Sequence, residues 1–137
     1  MEKSCGCVVF NDNKVLIVKS LNGVYGFPKG HIEENETDVE CAIRETFEET
    51  GINVSVDCNN SFKISYFVNE NILKNVIFFI AFVNGENVIK VQEDELDDAF
   101  WIDIDEVNDI LSFNNLKDLW KDIYNKYREV YNGKIDI

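Results

Sequence analysis

A chain of 137 residues with 26 acidic and 13 basic side chains carries a formal charge of −13, which excludes a nucleic-acid backbone as a default partner because phosphate contacts need a basic face. The length is that of one domain over 1–137, enough to bury about two-thirds of the unfolded surface. The four cysteines include no CxxC pair and are too few for a disulfide scaffold, so they read as reduced structural thiols and not as a zinc set.

Met1–Phe10 has no long apolar segment and no small-residue cleavage pattern, and the most apolar run, Val76–Val83, is strand-sized. No membrane partner is expected, and the cytoplasm is the expected compartment.

Cys5–Phe10 and Val15–Lys19 flank the turn-rich Asn11–Lys14 and predict a hairpin. Gly23–Gly30, which holds the one proline, Pro28, reads as a loop. Thr37 followed by Glu40 is a capping-box signature, and Gly51 can end the helix after Thr50 in a left-handed conformation. At ~100° per residue, Val39, Ala42, Ile43, Thr46, Phe47 and Thr50 gather on one side of that helix. Glu45, Glu48 and Glu49 gather on the other.

Ile52–Asp57 and Ser61–Val68 follow as separate strands. Asn75–Val83, nearly all apolar, reads as a central strand covered on both faces. Asn84–Asn87 turns into a strand over Val88–Val91. Ala99–Ile102 is a short strand, and Asp103 or Asp105 is placed to cap a helix through Leu111. Leu116, Leu119, Trp120, Ile123, Tyr127, Val130 and Tyr131 fall at helical spacing. A partner surface is one use for that stripe, but a layered domain needs such cover for its sheet. Strands and helices in this mixed order predict an α/β (α+β) fold with helices on both sides of a mixed sheet.

The three glutamates are a solvated acidic face on one reading, since like charges at helical spacing cost only ~0.2–0.5 kcal/mol per pair in water. In a cleft, at about 6 Å and an effective dielectric of about 20, each pair repels by roughly 3 kcal/mol and a cation is required. Oxygen ligands of this kind suit Mg²⁺, with Mn²⁺ as the alternative, and Mg²⁺ commonly shares its shell with substrate phosphates.

The wider spacing runs Gly30, five residues, Glu36, seven residues, Arg44-Glu45, two residues, Glu48-Glu49, one residue, Gly51-Ile52. It resembles the Nudix box, the signature of hydrolases acting on nucleoside diphosphates linked to another moiety. Thr46, at a usually aliphatic position, is the one soft departure. The resemblance implies a three-layer α/β/α sandwich in which Glu45, Glu48 and Glu49 ligate the metal, with the Gly30 carbonyl as a further ligand. It also implies that Arg44 orients the glutamates and that Glu36 braces the loop against the helix. The implied chemistry is metal-assisted attack of water on phosphorus, with a carboxylate outside the first shell removing the proton. Glu95, in the acidic stretch Glu93–Asp98, is the candidate from outside the box; a solvated turn is the competing reading.

Tyr25–His31, Phe62-Lys63 with Tyr66, Lys74–Ala81, Glu95 before Trp101, and Leu111–Phe113 are similar to segments of asymmetric diadenosine tetraphosphate hydrolases. This broader likeness implies a small nucleotide substrate cut to ATP and AMP. Lys29, Lys63 and Lys74 would hold the polyphosphate, His31 would donate to it, and Tyr66 would stack on an adenine. Ordinary exposed lysines and a core tyrosine are the plain alternatives. Related enzymes act on RNA 5′ ends or diphosphoinositol phosphates, and nucleoside triphosphates and nucleotide sugars are further alternatives. The charge and the presence of only two arginines, Arg44 and Arg128, disfavour RNA beyond a 5′ end. A non-catalytic nucleotide-binding module would be free to lose the glutamates, all of which are retained. Nothing in the apolar pattern selects an oligomeric state.

Overall fold

Alternation along a single strand divides the core in two. That strand, β1 (Glu2–Asn11), lies in the middle of the sheet in the computed structural model, which describes residues 2–131. Met1 and residues 132–137, the ends of the expected 1–137 span, lie outside the described residues. Cys5, Cys7 and Val9 face one layer and Val8 and Phe10 the other, as successive strand side chains must.

After β1 come β2 (Lys14–Ser20), β3 (Tyr25–Gly26), β4 (Lys29–His31), α1 (Asp38–Thr50), β5 (Val54–Phe67), β6 (Leu73–Val83) and β7 (Leu96–Asp103). A 3-10 turn (Ile104–Glu106), α2 (Val107–Ile110) and α3 (Asn114–Val130) complete the described chain. The strand order is β3-β2-β1-β6-β5, with β4 on β1 and β7 on β2. β1 and β6 run parallel from Glu2 opposite Lys74 to Phe10 opposite Phe82, and the other pairs are antiparallel.

One edge of β1 is shared. Ser4–Gly6 pair with β4 and Phe10–Asn11 with β2. Between them the Cys7 N–H donates to the Pro28 carbonyl at 3.2 Å. The close approach depends on Gly6, because a Cβ there would lie 2.1 Å from the Pro28 oxygen.

α1 covers one face, packing Cys41 and Ala42 on Cys5, Cys7, Val9, Leu16, Phe79 and Ala81. α2 and α3 cover the other, and there Leu116, Leu119, Trp120, Ile123 and Tyr127 are buried. The Phe10 ring stacks on Tyr127 with centroids 3.8 Å apart. The C-terminal stripe is therefore cover for the sheet, and the mixed sheet with helices on both faces is the architecture expected. Among the described residues no helix is long and apolar enough to cross a membrane.

The structure differs from the sequence reading at five places. The Gly23–Gly30 segment is not all loop, since β3 and β4 form within it. Ile52–Asp57 and Ser61–Val68 are not two strands. They merge into β5, whose register shifts between Val56 and Ser61. There Asp57 satisfies the bulged backbone itself, accepting from the Asn59 N–H at 3.0 Å and the Asn60 amide at 2.9 Å. Val88–Val91 is irregular, and the chain there is drawn to the open end of α1. Lys90 donates to the Thr50 carbonyl at 2.8 Å and Gln92 to the Glu49 carbonyl at 3.0 Å, two acceptors without intrahelical partners. Asp103 caps nothing with its side chain, which Lys14 takes at 2.9 Å, and the helix expected through Leu111 is a 3-10 turn followed by α2. On α1, Phe47 is 46% exposed, whereas Cys41 and Glu49 are buried, so the buried stripe is rotated from the one periodicity predicts.

Tyr131, just beyond α3, ties that helix to the β5 bulge through a 2.6 Å hydrogen bond from its hydroxyl to Asp57. Burial and the Asp57 charge push the hydroxyl pKa up to about 12. Burial would raise Asp57, but the bonds from Tyr131, Asn60 and Asn59 hold it below its ordinary value. Tyr131→Phe is expected to lower stability by about 1–2 kcal/mol, the worth of a hydrogen bond to a charged acceptor, read as a lower urea midpoint at unchanged slope.

Candidate active site

The capping box fixes where α1 begins. Thr37 Oγ1 accepts from the Glu40 N–H at 3.1 Å, and Glu40 returns the bond to the Thr37 N–H at 2.9 Å. At the other end Gly51 has φ 74° and its N–H reaches the Phe47 carbonyl at 2.8 Å. With both ends set, Arg44, Glu45, Glu48 and Glu49 project towards β4 and the loop that follows it.

Arg44 organises that loop. Its Nε and Nη2 hold the two Glu36 oxygens at 2.6 and 3.0 Å, and Nη2 also reaches the His31 carbonyl at 3.0 Å. Nη1 donates to Glu45 at 2.8 Å and to Glu48 at 3.1 Å. Glu36 also accepts the Glu33 N–H at 3.0 Å. Arg44 thus touches two glutamates of α1, and Glu36 lies between Arg44 and the loop backbone.

Gly30 is needed for a close approach. A Cβ at this position would fall 1.9 Å from Glu45 Oε2. Its carbonyl accepts from the Cys41 thiol at 3.5 Å.

Glu49 is held differently. It is 7% exposed, and its Oε1 accepts the Lys29 N–H at 3.0 Å. Burial pushes its pKa up to about 7, reinforced by the Glu45 and Glu95 charges and opposed by Lys29. Burial likewise raises Glu45, against the pull of Arg44.

Among the described residues no three of His, Cys, Asp and Glu come together at cation-binding spacing. Glu45 and Glu48 lean on Arg44, and Glu49 leans on the Lys29 backbone. The donor chemistry nonetheless fits a hard divalent cation, since partly buried carboxylates that raise one another's pKa gain from a shared positive charge.

The Arg44–Glu36 pair makes a prediction of its own. Its hydrogen bonds lower the Glu36 pKa from 4.5 to about 2, against burial. A depressed carboxyl stabilises the fold fully above its unfolded pKa and loses that contribution as pH falls through the folded value. Glu36→Gln should therefore cost about 1 kcal/mol at pH 7, allowing for solvent screening, and flatten the decline between about pH 4.5 and 2. Denaturant midpoints across that range check both.

Beside Glu49 opens a cavity of about 810 Å³ between the sheet and the start of α3. Lys29, Glu49, Tyr66 and Glu95 share its wall, so four of the expected site residues meet there. Glu95 belongs to both competing readings, being exposed in a turn and also on the wall. Lys74 lies opposite Tyr66 in the β5–β6 ladder and is 9% exposed. Burial and the neighbouring Lys29 charge lower its pKa.

Three expected substrate contacts are not on the wall: Lys74, His31 and Lys63. His31 is exposed, 3.4 Å from Glu2. Lys63 is exposed on the sheet face opposite Tyr66, as an odd offset along a strand requires. Sequence reasoning missed Asn22, Phe67, Phe113 and Asn115, all on the wall. For Phe113 the likeness of Leu111–Phe113 to the hydrolase segments is a signal, whereas for Phe67 the signal is its exposed ring, which only the fold reveals. Gly6 was also missed, although a lone glycine inside a strand pattern signals close backbone approach.

Residues 2–128 match the family model described as the NUDIX domain. The chain is 29% identical over 130 residues to the asymmetrical bis(5′-nucleosyl)-tetraphosphatase of Mus musculus, covering 84% of this chain and 88% of that protein. It is 32% identical over 120 residues to the m7GpppN-mRNA hydrolase of Saccharomyces cerevisiae, covering 82% of this chain but only 12% of that longer protein. Among solved structures, the binary complex of a C. elegans Ap4A hydrolase superposes with a TM-score of 0.84 at 19% identity, covering 94% of this chain and 99% of that one.

Proposed function

Because this chain belongs to the NUDIX family and is a hydrolase of that family, we propose that it cuts diadenosine tetraphosphate asymmetrically, to ATP and AMP. The observation that carries this reading is the shared wall: Glu49 and Glu95 stand in the same cavity as Lys29, Tyr66 and a broad apolar surface. Such a space suits a ligand that is polyanionic at one end and aromatic at the other. The near-full-length likeness to the mouse tetraphosphatase supports the same substrate.

Glu45, Glu48, Glu49 and the Gly30 carbonyl would hold a divalent cation, Mg²⁺ or Mn²⁺. The chemistry supplied there is neutralisation of charge on the scissile phosphate and acidification of the attacking water. Lys29 and Lys74 draw in and orient the polyphosphate. Tyr66 offers its ring to an adenine. Glu95, outside the box, accepts the proton of the water as its oxygen bonds to phosphorus and the bridging P–O bond breaks. Arg44 keeps Glu45 and Glu48 within reach of one another.

A second reading, removal of a cap or phosphate from an RNA 5′ end, draws on the yeast relative. The charge of −13 opposes any extended RNA path, which leaves the terminal phosphates as the part recognised.

Chromatography of products from diadenosine tetraphosphate, with Mg²⁺ and with chelator, tests the proposal. Equimolar ATP and AMP formed only with metal is the expected result. Two ADP would mean a symmetric cut, and no turnover would sink the substrate assignment.

A further inference from the structure

We propose that Cys5 and Cys41 form a redox-closable pair whose disulfide ties α1 to β1 directly beneath Gly30. Three placements converge there. Cys5 stands opposite Gly30 in the β1–β4 ladder, where opposed Cα atoms lie about 4.5–5.5 Å apart. The Cys41 thiol donates to the Gly30 carbonyl at 3.5 Å. Both side chains are fully buried in the same cluster, and each is near enough to shift the other's pKa, that of Cys5 upward and that of Cys41 downward. The other two thiols are engaged or located elsewhere. Cys7 donates to the Ala42 carbonyl at 3.5 Å, and Cys58 is exposed on β5.

Buried thiols react only when the structure opens locally, and the seam between β1 and α1 is the route. It is closed on the outside by the Lys3–Asp38 ion pair at 2.6 Å, two residues before Cys5 and three before Cys41. With hydrogen peroxide as oxidant, one sulfur attacks an oxygen, an S–O bond forms, the O–O bond breaks and the first water leaves. The second sulfur then displaces the bound oxygen as the second water and the S–S bond forms. Two thiol protons and two electrons pass to the peroxide, so the step balances without any other reductant.

Closure takes the thiol donor away from the Gly30 carbonyl and draws α1 against β1. Glu45 lies one turn beyond Cys41, with its carboxylate already against Gly30, so a shift of α1 is transmitted to it. This coupling rests on the metal-holding role proposed for Gly30 and Glu45; the cross-link itself does not.

The test uses the full chain carrying Cys58→Ser, which removes the exposed thiol. After peroxide treatment of the folded protein, the intact mass should fall by two hydrogens. A non-reducing peptide map should show Cys5 joined to Cys41, reversed by dithiothreitol. Mn²⁺ affinity, followed by water-proton relaxation, should weaken about tenfold in the oxidised form, as misplacing the support of a metal ligand does, and recover on reduction. Lys3→Ala should speed closure. A folded protein that resists cross-linking, or one that joins Cys7 instead, overturns the pair. Equal Mn²⁺ affinity in both forms overturns the coupling. Absence of Mn²⁺ binding from either form overturns the metal assignment too, while the peptide map still decides the pair. An unchanged rate with Lys3→Ala overturns the seam as the way in.

Discussion

Glu49→Gln is expected to lose at least about a hundredfold in kcat/KM, several kcal/mol of transition-state stabilisation, while making the metal-free protein harder to unfold. The two effects have one origin. Glutamine keeps an oxygen to accept the Lys29 N–H, so the 3.0 Å contact and the local fold survive. It also removes a charge from a site that is 7% exposed. Burial raises the carboxyl pKa from 4.5 to about 7, so ionised Glu49 is a penalty on the native state. The penalty is complete above about pH 7 and fades as pH falls towards 4.5, where the unfolded chain also binds the proton. The stabilisation by glutamine should therefore be on the order of 2 kcal/mol at pH 8 in chelator and shrink towards pH 4.5. Steady-state kinetics with Mg²⁺, beside denaturant titrations in chelator at the two pH values, measure both sides. Near-wild-type turnover would remove Glu49 from the site.

Gly6→Ala is expected to destabilise the fold by about 3 kcal/mol or more, a larger effect than any surface substitution should have. The new Cβ would lie 2.1 Å from the Pro28 oxygen, 2.7 Å from Lys29 Cβ and 2.9 Å from Lys29 Cα. Two of those atoms are backbone, so the whole lead-in to β4 must move, and the Lys29 N–H that holds Glu49 moves with it. Gly30→Ala provides the contrast. Its clash is with the Glu45 carboxylate, the free end of a flexible side chain, so the melting temperature should barely change while Glu45 leaves its place. Thermal unfolding of the two variants separates them. An unchanged midpoint for Gly6→Ala would show that the β4 lead-in yields.

Local rules made α1 legible from the sequence. Thr37 and Glu40 mark its start, Gly51 its end, and the glutamates fall at helical spacing, all matters of a few neighbouring residues. Periodicity failed on which way the helix turns, because it assigns burial by side-chain type alone. Glu49 goes inward because a backbone N–H from β4 waits there, a partner twenty residues away that no helical wheel contains. Phe47 is left half-exposed by the same rotation. β5 and Val88–Val91 failed for a related reason. Asp57 lets one strand continue through a bulge, and the carbonyls at the end of α1 offered Val88–Val91 better partners than a sheet edge. The cavity was out of reach, since its wall is assembled from well-separated parts of the chain.

The origin of that wall has a consequence for how such a protein changes over generations. α1 contributes only Glu49 to it, while Asn22, Tyr66, Phe67, Phe113 and Asn115 come from other elements and connections. On the proposed assignment, preference for one ligand is thus encoded largely outside α1, while the glutamates proposed to hold the metal lie within it. Variation at the wall can be selected without disturbing the glutamates, so related chains can keep one helix nearly fixed and diverge in what they consume. A library randomised at positions 22, 67, 113 and 115 is where a new preference would be found first.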